Sequence, residues 1–346
     1  MTQPFFSILV PVYNVREYLE ECLENLANQS FPDYEVVLVD DGSTDGSEGM
    51  CDAWQERFPE RVRVIHQENR GLVLARSVGF QAARGRYFVI VDSDDVLHTD
   101  ALRILHEYLT RYDADMVLYR ASKKRDFSEP IREAHFQDGE LLSISTSPEL
   151  KRLMGSTFEM NSLWTKAFRR EIADTDRDFS AVSHISEGDD LMFSLPVVER
   201  AERIVFCDRI LYYYRVNPAS VTNTFKPSLF RSVRDTLRIQ RSYAEKWDST
   251  LAMAEECDRN ALRRFYDVIA RIGLTSLPKR EKRRYMLEVV TDSDFCRCYA
   301  HLSKMDERKV RLTLMLAKNR CFEPLFLYGW MKRNCILTAV QDTEFT

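Results

Sequence analysis

The chain has 346 residues, 45% of them hydrophobic and 30% charged, with a formal net charge of −5. That composition fits a soluble globular protein with a full core plus an extension and excludes intrinsic disorder. No run approaches the length of a membrane-spanning helix, and the N-terminus lacks the basic-then-apolar pattern of a signal peptide.

The eight cysteines are scattered without CxxC spacing or nearby His pairs. This pattern fits reduced thiols in a cytoplasmic protein better than a disulfide framework or a zinc site. Charge is divided unevenly. Residues 1–225 carry 25 Lys/Arg against 38 Asp/Glu, a net of −13, and residues 226–346 carry 24 against 16, a net of +8. An acidic body with a basic C-terminal segment suggests a tail that meets something anionic.

In chain order, Phe5 to Val12 reads as a buried strand closed by Pro11-Val12-Tyr13-Asn14. Glu17 to Asn28 is helical, with Tyr18, Leu19, Cys22, Leu23 and Leu26 on one face. Tyr34 to Val39 is a second buried strand ending in Asp40-Asp41-Gly42-Ser43-Thr44-Asp45, and a helix to about Phe58 follows. Arg61 to His66 is a third strand, Arg70 to Arg84 a helix ended by Gly85, and Tyr87 to Val91 a fourth strand. Strands separated by helices of this length imply a parallel sheet with crossover connections. Ligands of such sheets bind beyond the carboxyl ends of the strands. Tyr13-Asn14, Asp40-Asp41 and Asp92-Ser93-Asp94-Asp95 all fall there.

The last cluster is the most informative. A buried strand that runs into three carboxylates within four positions is costly unless a positive charge sits beside them. Mg²⁺ or Mn²⁺ suits that task, because such ions bridge one or two carboxylates to substrate phosphates. The plain alternative is a solvated acidic turn. No GxGxxG follows the first strand and no GxxxxGK[ST] occurs, which counts against a dinucleotide oxidoreductase and a P-loop NTPase.

Taken together, Ser7 to Asn14, Val39 to Asp45, Glu68-Asn69-Arg70-Gly71 with Ala75-Arg76 and Gly79, and Asp92 to Asp95 resemble the family 2 glycosyltransferases. The resemblance runs in order and spacing from residue 5 to about 222. It implies an α/β GT-A nucleotide-diphospho-sugar transferase fold, a mainly parallel sheet with crossover helices, over 1–225. The nucleotide-binding half would be 1–112 and the acceptor half 113–225, with a helical C-terminal extension over 226–346. By the same resemblance Pro11, Val12 and Tyr13 line the base pocket, Asp41 binds the base edge, and Asp92 the ribose. Arg76 and Ser93 belong to the donor site, and Asp94 is the ligand of a Mn²⁺ or Mg²⁺ ion carrying the diphosphate.

The second half continues the pattern. A helix spans Thr99 to Tyr112, Ala114 to Tyr119 is a strand, and Ser122 to Ser147 is a polar excursion. Leu163-Trp164-Thr165-Lys166 resembles the family's Trp-Asn-Lys segment with Thr165 in place of Asn, and Trp164 reads equally as core or as acceptor wall. Glu187-Gly188-Asp189-Asp190-Leu191 resembles the Gly-Glu-Asp-Leu motif whose Asp is the catalytic base. That gives Asp190 the base and Asp189, where Glu is usual, a supporting role. Capping of the helix from Leu191 to Glu199 is the structural alternative for both. Tyr212-Tyr213-Tyr214-Arg215, followed by Ser220, resembles the strand and loop that close over the diphosphate. Arg215 would contact phosphate, because a guanidinium fork donates two hydrogen bonds at once. The tyrosines themselves read as aromatic packing on an edge strand.

Beyond Phe225 the chain reads as helical at Leu229 to Trp247 and Leu251 to Leu274. Lys279 to Arg284 is a basic run, and Leu312 to Ile336 mixes Phe322, Phe326, Tyr328 and Trp330 with Lys and Arg. Such a segment suits an anionic membrane surface, a packed subdomain or a dimer face. Nucleic acid fits poorly, because the body is acidic. The resemblance therefore implies an inverting, metal-dependent transferase. It would move a sugar from a nucleotide-diphosphate donor, UDP-sugar by resemblance, to a hydroxyl of a glycan or lipid-linked saccharide. A non-catalytic module of the same fold would share these motifs but bind nucleotide without turning donor over.

Overall fold

The computed structural model describes residues 3–216 and 225–332. The chain divides into two compact units, one within residues 1–154 and 159–218, the other within 155–158 and 219–346.

The first unit opens with β1 (Phe6–Val12), α1 (Arg16–Ala27), β2 (Tyr34–Asp40), α2 (Ser47–Arg57), β3 (Val62–His66), α3 (Leu72–Ala82) and β4 (Tyr87–Ile90). It continues with β5 (Val96–Leu97), α4 (Ala101–Arg111), β6 (Met116–Ser122), β7 (Leu141–Leu142), α5 (Pro148–Ser156), β8 (Lys166–Arg169), α6 (Asp190–Arg200) and β9 (Ile204–Tyr213). These strands form one sheet in the order β3-β2-β1-β4-β8-β6-β9-β5, with β7 also on β9. The pairs β3–β2, β2–β1 and β1–β4 are parallel, as the strand–helix alternation requires. β8 then inserts antiparallel to both β4 and β6, while β6 and β9 run parallel. The sheet is therefore parallel in its first half and mixed in its second.

Every residue of β1 and β2 is buried, because helices cover both faces and the strands can be apolar throughout. Register sets the rim that matters: Val12 lies opposite Asp40, and Asp40 opposite His66. The carboxyl ends of three neighbouring strands thus finish level. Helix α4 shows the matching amphipathic pattern, burying Ala101, Leu102, Leu105 and Leu109 along one stripe. β9 is not an edge strand, since β6 covers one side and β5 and β7 pair with the other.

The second unit is helical: α7 (Leu229–Trp247), α8 (Ala252–Leu274), α9 (Lys279–Thr291), α10 (Ser293–Tyr299) and α11 (Arg308–Lys318). Its core gathers Leu237, Phe265, Ile269, Met286, Phe295 and Leu314. Asp258 is buried between Arg241 Nη1 at 2.6 Å and Arg297 Nε at 3.1 Å, which offsets the cost of burying its charge. The basic run opens α9 and is not uniformly solvated, because Lys282 is buried and donates to the Gly273 carbonyl at 2.8 Å. No helix among the described residues is long and apolar enough to cross a membrane.

Candidate active site

The carboxyl ends of β1, β2 and β4 bring the expected motifs together. After β2, the Asp41 carboxylate accepts from Gln67 Nε2 at 2.6 Å and from the Arg70 and Gly71 amides, both at 2.8 Å. These bonds explain why α3 starts at Leu72 rather than Arg70: the two preceding amides are committed to Asp41. They also leave Asp41 3% exposed, and its side chain braces the 67–71 loop. Gly42 is needed here. Its φ is +75°, and a Cβ would lie 2.9 Å from the Asn69 amide nitrogen. Pro11 and Val12 are buried, whereas Tyr13 presents an exposed ring at the strand end.

The cluster after β4 is tied to β9. The Tyr212 hydroxyl donates to Asp95 Oδ2 at 2.7 Å and accepts from the Asp92 amide at 3.0 Å. The Arg215 amide donates to Asp95 Oδ1 at 2.8 Å. Burial, reinforced by Asp92 and Asp94, pushes the Asp95 carboxyl up to about 8. Ser93 is buried and Asp94 half-buried. In the Arg215 side chain, Nε donates to the Asp94 carbonyl at 2.7 Å and Nη2 to Glu21. Its guanidinium is thus anchored by α1 and the acidic loop. Ser220 lies outside the described residues.

The feature that sequence reasoning did not anticipate is the place of Arg76. This α3 residue is 4% exposed. Nη2 donates to Asp92 Oδ1 at 3.0 Å, and Nη1 donates to Asp190 Oδ1 at 2.7 Å and to Asp189. The guanidinium is enclosed by three carboxylates of the protein, one of them Asp92 of the expected donor loop. Burial alone would lower its pKa, yet Asp190, Asp189 and Asp92 raise it, so the cation is secure. Asp189 stands at the N-cap of α6 without a side-chain cap bond, so the capping alternative does not describe it. Burial raises the pKa of both Asp189 and Asp190, that of Asp190 to about 7, with Arg76 opposing.

Lys166 was quoted from sequence without a role, and it proves to organise the approach to Asp190. Fully buried, its Nζ donates to the Met160 and Ser162 carbonyls, both at 2.6 Å. Burial pushes its ammonium down to about 7, while Asp190 opposes that shift. The loop it ties supplies the Leu163 amide that hydrogen-bonds Asp190. A fully buried Lys in an apolar strand has no periodicity signal, so only its neighbours reveal it.

Among the described residues no group of three or more His, Cys, Asp or Glu side chains gathers to hold a metal. A Mg²⁺-type ion does not require one, since it takes one or two carboxylates and completes its shell with phosphate and water. The Asp92 and half-buried Asp94 carboxylates at the end of β4 are oxygen donors of the kind such a cation takes, so the Asp92–Asp95 loop fits it.

Comparison with known proteins identifies this arrangement. Residues 7–176 match the family described as Glycosyl transferase family 2. The uncharacterized glycosyltransferase EpsJ of Bacillus subtilis (strain 168) is 34% identical over 234 residues, 65% of this chain and 65% of that protein. Glycosyltransferase GlyG of Streptococcus pneumoniae serotype 4 (strain ATCC BAA-334 / TIGR4) is 43% identical over 113 residues, 32% of this chain and 37% of its own length. The chain thus spans less than two thirds of both relatives. The crystal structure of S. aureus TarS 1–349 with UDP-GlcNAc shares the fold, with a TM-score of 0.65 at 20% identity over 95% of this chain and 91% of that one. The fold is GT-A with added C-terminal helices, and residues 7–176 place the chain's catalytic unit in glycosyltransferase family 2.

Proposed function

We propose that this protein transfers a sugar from a UDP-sugar to a hydroxyl of a glycan or lipid-linked saccharide, with inversion at the anomeric carbon. The observation that carries this reading is the buried Arg76 fork, which brings Asp92 of the donor loop and Asp190 of α6 to one guanidinium. A donor carboxylate and a candidate base thereby share one fixed frame. The TarS structure holding UDP-GlcNAc supports the uridine donor.

In the step, Asp190 accepts the proton of the acceptor hydroxyl as that oxygen forms its bond to the anomeric carbon. The bond from that carbon to the diphosphate oxygen breaks on the opposite face, and UDP departs with the electron pair. Asp94 would hold the Mn²⁺ or Mg²⁺ ion, which supplies charge compensation for the leaving diphosphate. Arg76 and the Leu163 amide hold Asp190 in place, and Lys166 fixes the loop that carries the amide. Tyr13 offers its exposed ring to the uracil, and Arg215, which donates to the Asp94 carbonyl of the donor loop, would contact the diphosphate from there.

A screen of nucleotide sugars with Mn²⁺ tests the reading. We expect UDP release from one of them, and expect Asp94→Ala to lose the Mn²⁺-dependent part of UDP affinity while keeping its fold. UDP affinity unchanged by Mn²⁺ in wild type and variant alike would contradict the metal assignment.

The helical unit supports a second element of the proposal, peripheral contact with an anionic membrane at the cytoplasmic face. Leu312 and Met315 of α11, and Leu327, Tyr328, Trp330 and Met331 of the following helical segment, are exposed. Lys309 lies 5.5 Å from the Tyr328 ring, joining basic and apolar groups on the two elements. Apolar side chains beside Lys and Arg are the chemistry of an interfacial helix.

A further inference from the structure

Trp164 lies in the 163–165 turn directly after Leu163, whose amide holds Asp190. Its indole stacks on Tyr212, with centroids 4.8 Å apart at 21°, and on Tyr214 at 5.5 Å and 17°. The two tyrosines are two residues apart at the end of β9, so they project to one side of the sheet. Trp164 and Tyr214 are nevertheless only half-buried.

The polar atoms of the three rings divide in a telling way. Tyr212 commits its hydroxyl to Asp95 and Asp92. Neither the Trp164 indole N–H nor the Tyr214 hydroxyl has a hydrogen-bond partner among the described residues, whereas the Trp54 indole donates to Glu20 at 3.1 Å. Position completes the case. The charges of Asp95, Asp94, Asp92 and Asp190 all reach the Tyr214 phenol, adding to the burial that raises its pKa. The stack therefore lies between the donor loop and the proposed base, with aromatic surface and two unused polar handles.

We propose that Trp164 and Tyr214 form the acceptor wall, and that the acceptor group they take is a pyranose ring. This inference rests on the reading of Asp190 as the base. A pyranose offers a flat C–H face to the indole, while its hydroxyls meet the indole N–H, the Tyr214 hydroxyl and Asp190. Sites for small polar ligands commonly pair aromatic surface with a few placed polar groups in this manner. An open-chain polyol has no such face. The geometry thus assigns acceptor specificity to this stack, and Trp164 is a specificity-determining residue.

Saturation-transfer NMR on the full chain, with and without UDP and Mg²⁺, tests this with methyl β-glucopyranoside, methyl β-galactopyranoside, methyl N-acetyl-β-glucosaminide and ribitol as probes. We expect transfer to the ring C–H protons of at least one pyranoside and none to ribitol. Trp164→Leu should weaken that pyranoside about tenfold, the scale of one lost aromatic contact, with UDP affinity within about twofold of wild type. Trp164→Phe should retain most of the binding.

Transfer to ribitol alone, to none of the probes, or undiminished in Trp164→Leu overturns the proposal. If Trp164→Leu loses UDP as well, Tyr214→Leu decides, because that ring makes no bond to the donor loop. Loss of pyranoside with UDP retained supports the wall, and retention of both overturns it. A wild type that binds no UDP contradicts the donor reading instead, and the UDP-free spectra separate that failure from this one.

Discussion

Arg76 Nη1 donates to Asp190 Oδ1 at 2.7 Å across 114 residues of sequence. The same guanidinium binds Asp92 and Asp189, so one buried cation serves three carboxylates. Such a group is worth more for arrangement than for net stability, since desolvation offsets much of its attraction. Removing it is another matter. Arg76→Leu should destabilise the fold by about 3–5 kcal/mol, the usual cost of leaving buried charges unpaired. Arg76→Lys should be milder yet still impaired, because an ammonium lacks the planar fork that meets several carboxylates at once. Guanidinium chloride unfolding at pH 8, where the carboxylates are ionised, measures both. A loss under about 1 kcal/mol for Arg76→Leu would mean that the network relaxes without its cation.

The pH profile should carry the signature of the same network. Burial, with Asp189 and Asp92, raises the Asp190 pKa to about 7 against the opposition of Arg76 and the Leu163 amide. Buried Lys166 on β8 also faces it, and its ammonium favours the carboxylate. The base is active when deprotonated, so kcat should be level above neutrality and fall about tenfold per pH unit on the acid side. A kcat independent of pH from 5 to 8 would remove Asp190 from the rate-determining step.

Much of this site was legible in the sequence because it uses local signals. The first four strands are apolar runs that stop abruptly at polar residues, and the parallel half of the sheet follows from them. The second half offered less. β8 is four residues long and contains the buried Lys166, so it shows no alternation by which to recognise a strand. β9 carries exposed Asp208 and Arg209 in its middle, and only its tyrosine end stood out. The protein partners of Asp41, Arg76 and Arg215 were not legible in the sequence for one physical reason. A motif fixes where a polar group stands along the chain, while its partner comes from a distant element: Gln67 and the 70–71 amides, α6, and Glu21 of α1 respectively.

The helical unit should bind anionic vesicles in preference to neutral ones. The sequence reading placed this surface within residues 279–336, of which 333–336 lie outside the described residues. Sedimentation with phosphatidylglycerol or phosphatidylcholine vesicles at low salt gives the comparison, since screening weakens such attraction as salt rises. Replacing Leu327 and Trp330, both exposed, by Ser should reduce binding severalfold without lowering the melting temperature. Equal partitioning into both vesicle types would leave the patch as a surface for another protein.

Paired substitution of the adjacent carboxylates tests the central claim most directly. Asp190→Asn is nearly isosteric and should keep UDP affinity, but it removes the group that must accept the proton. We predict a loss of kcat on the order of 10²-fold or more, within the usual range for base catalysis. Asp189→Asn should cost less, because its part is to share Arg76. The measurement is kcat and donor affinity for both variants with a working acceptor. A dead Asp190→Asn with intact UDP binding is the result this account requires. An active Asp190→Asn, with or without a dead Asp189→Asn, would contradict it.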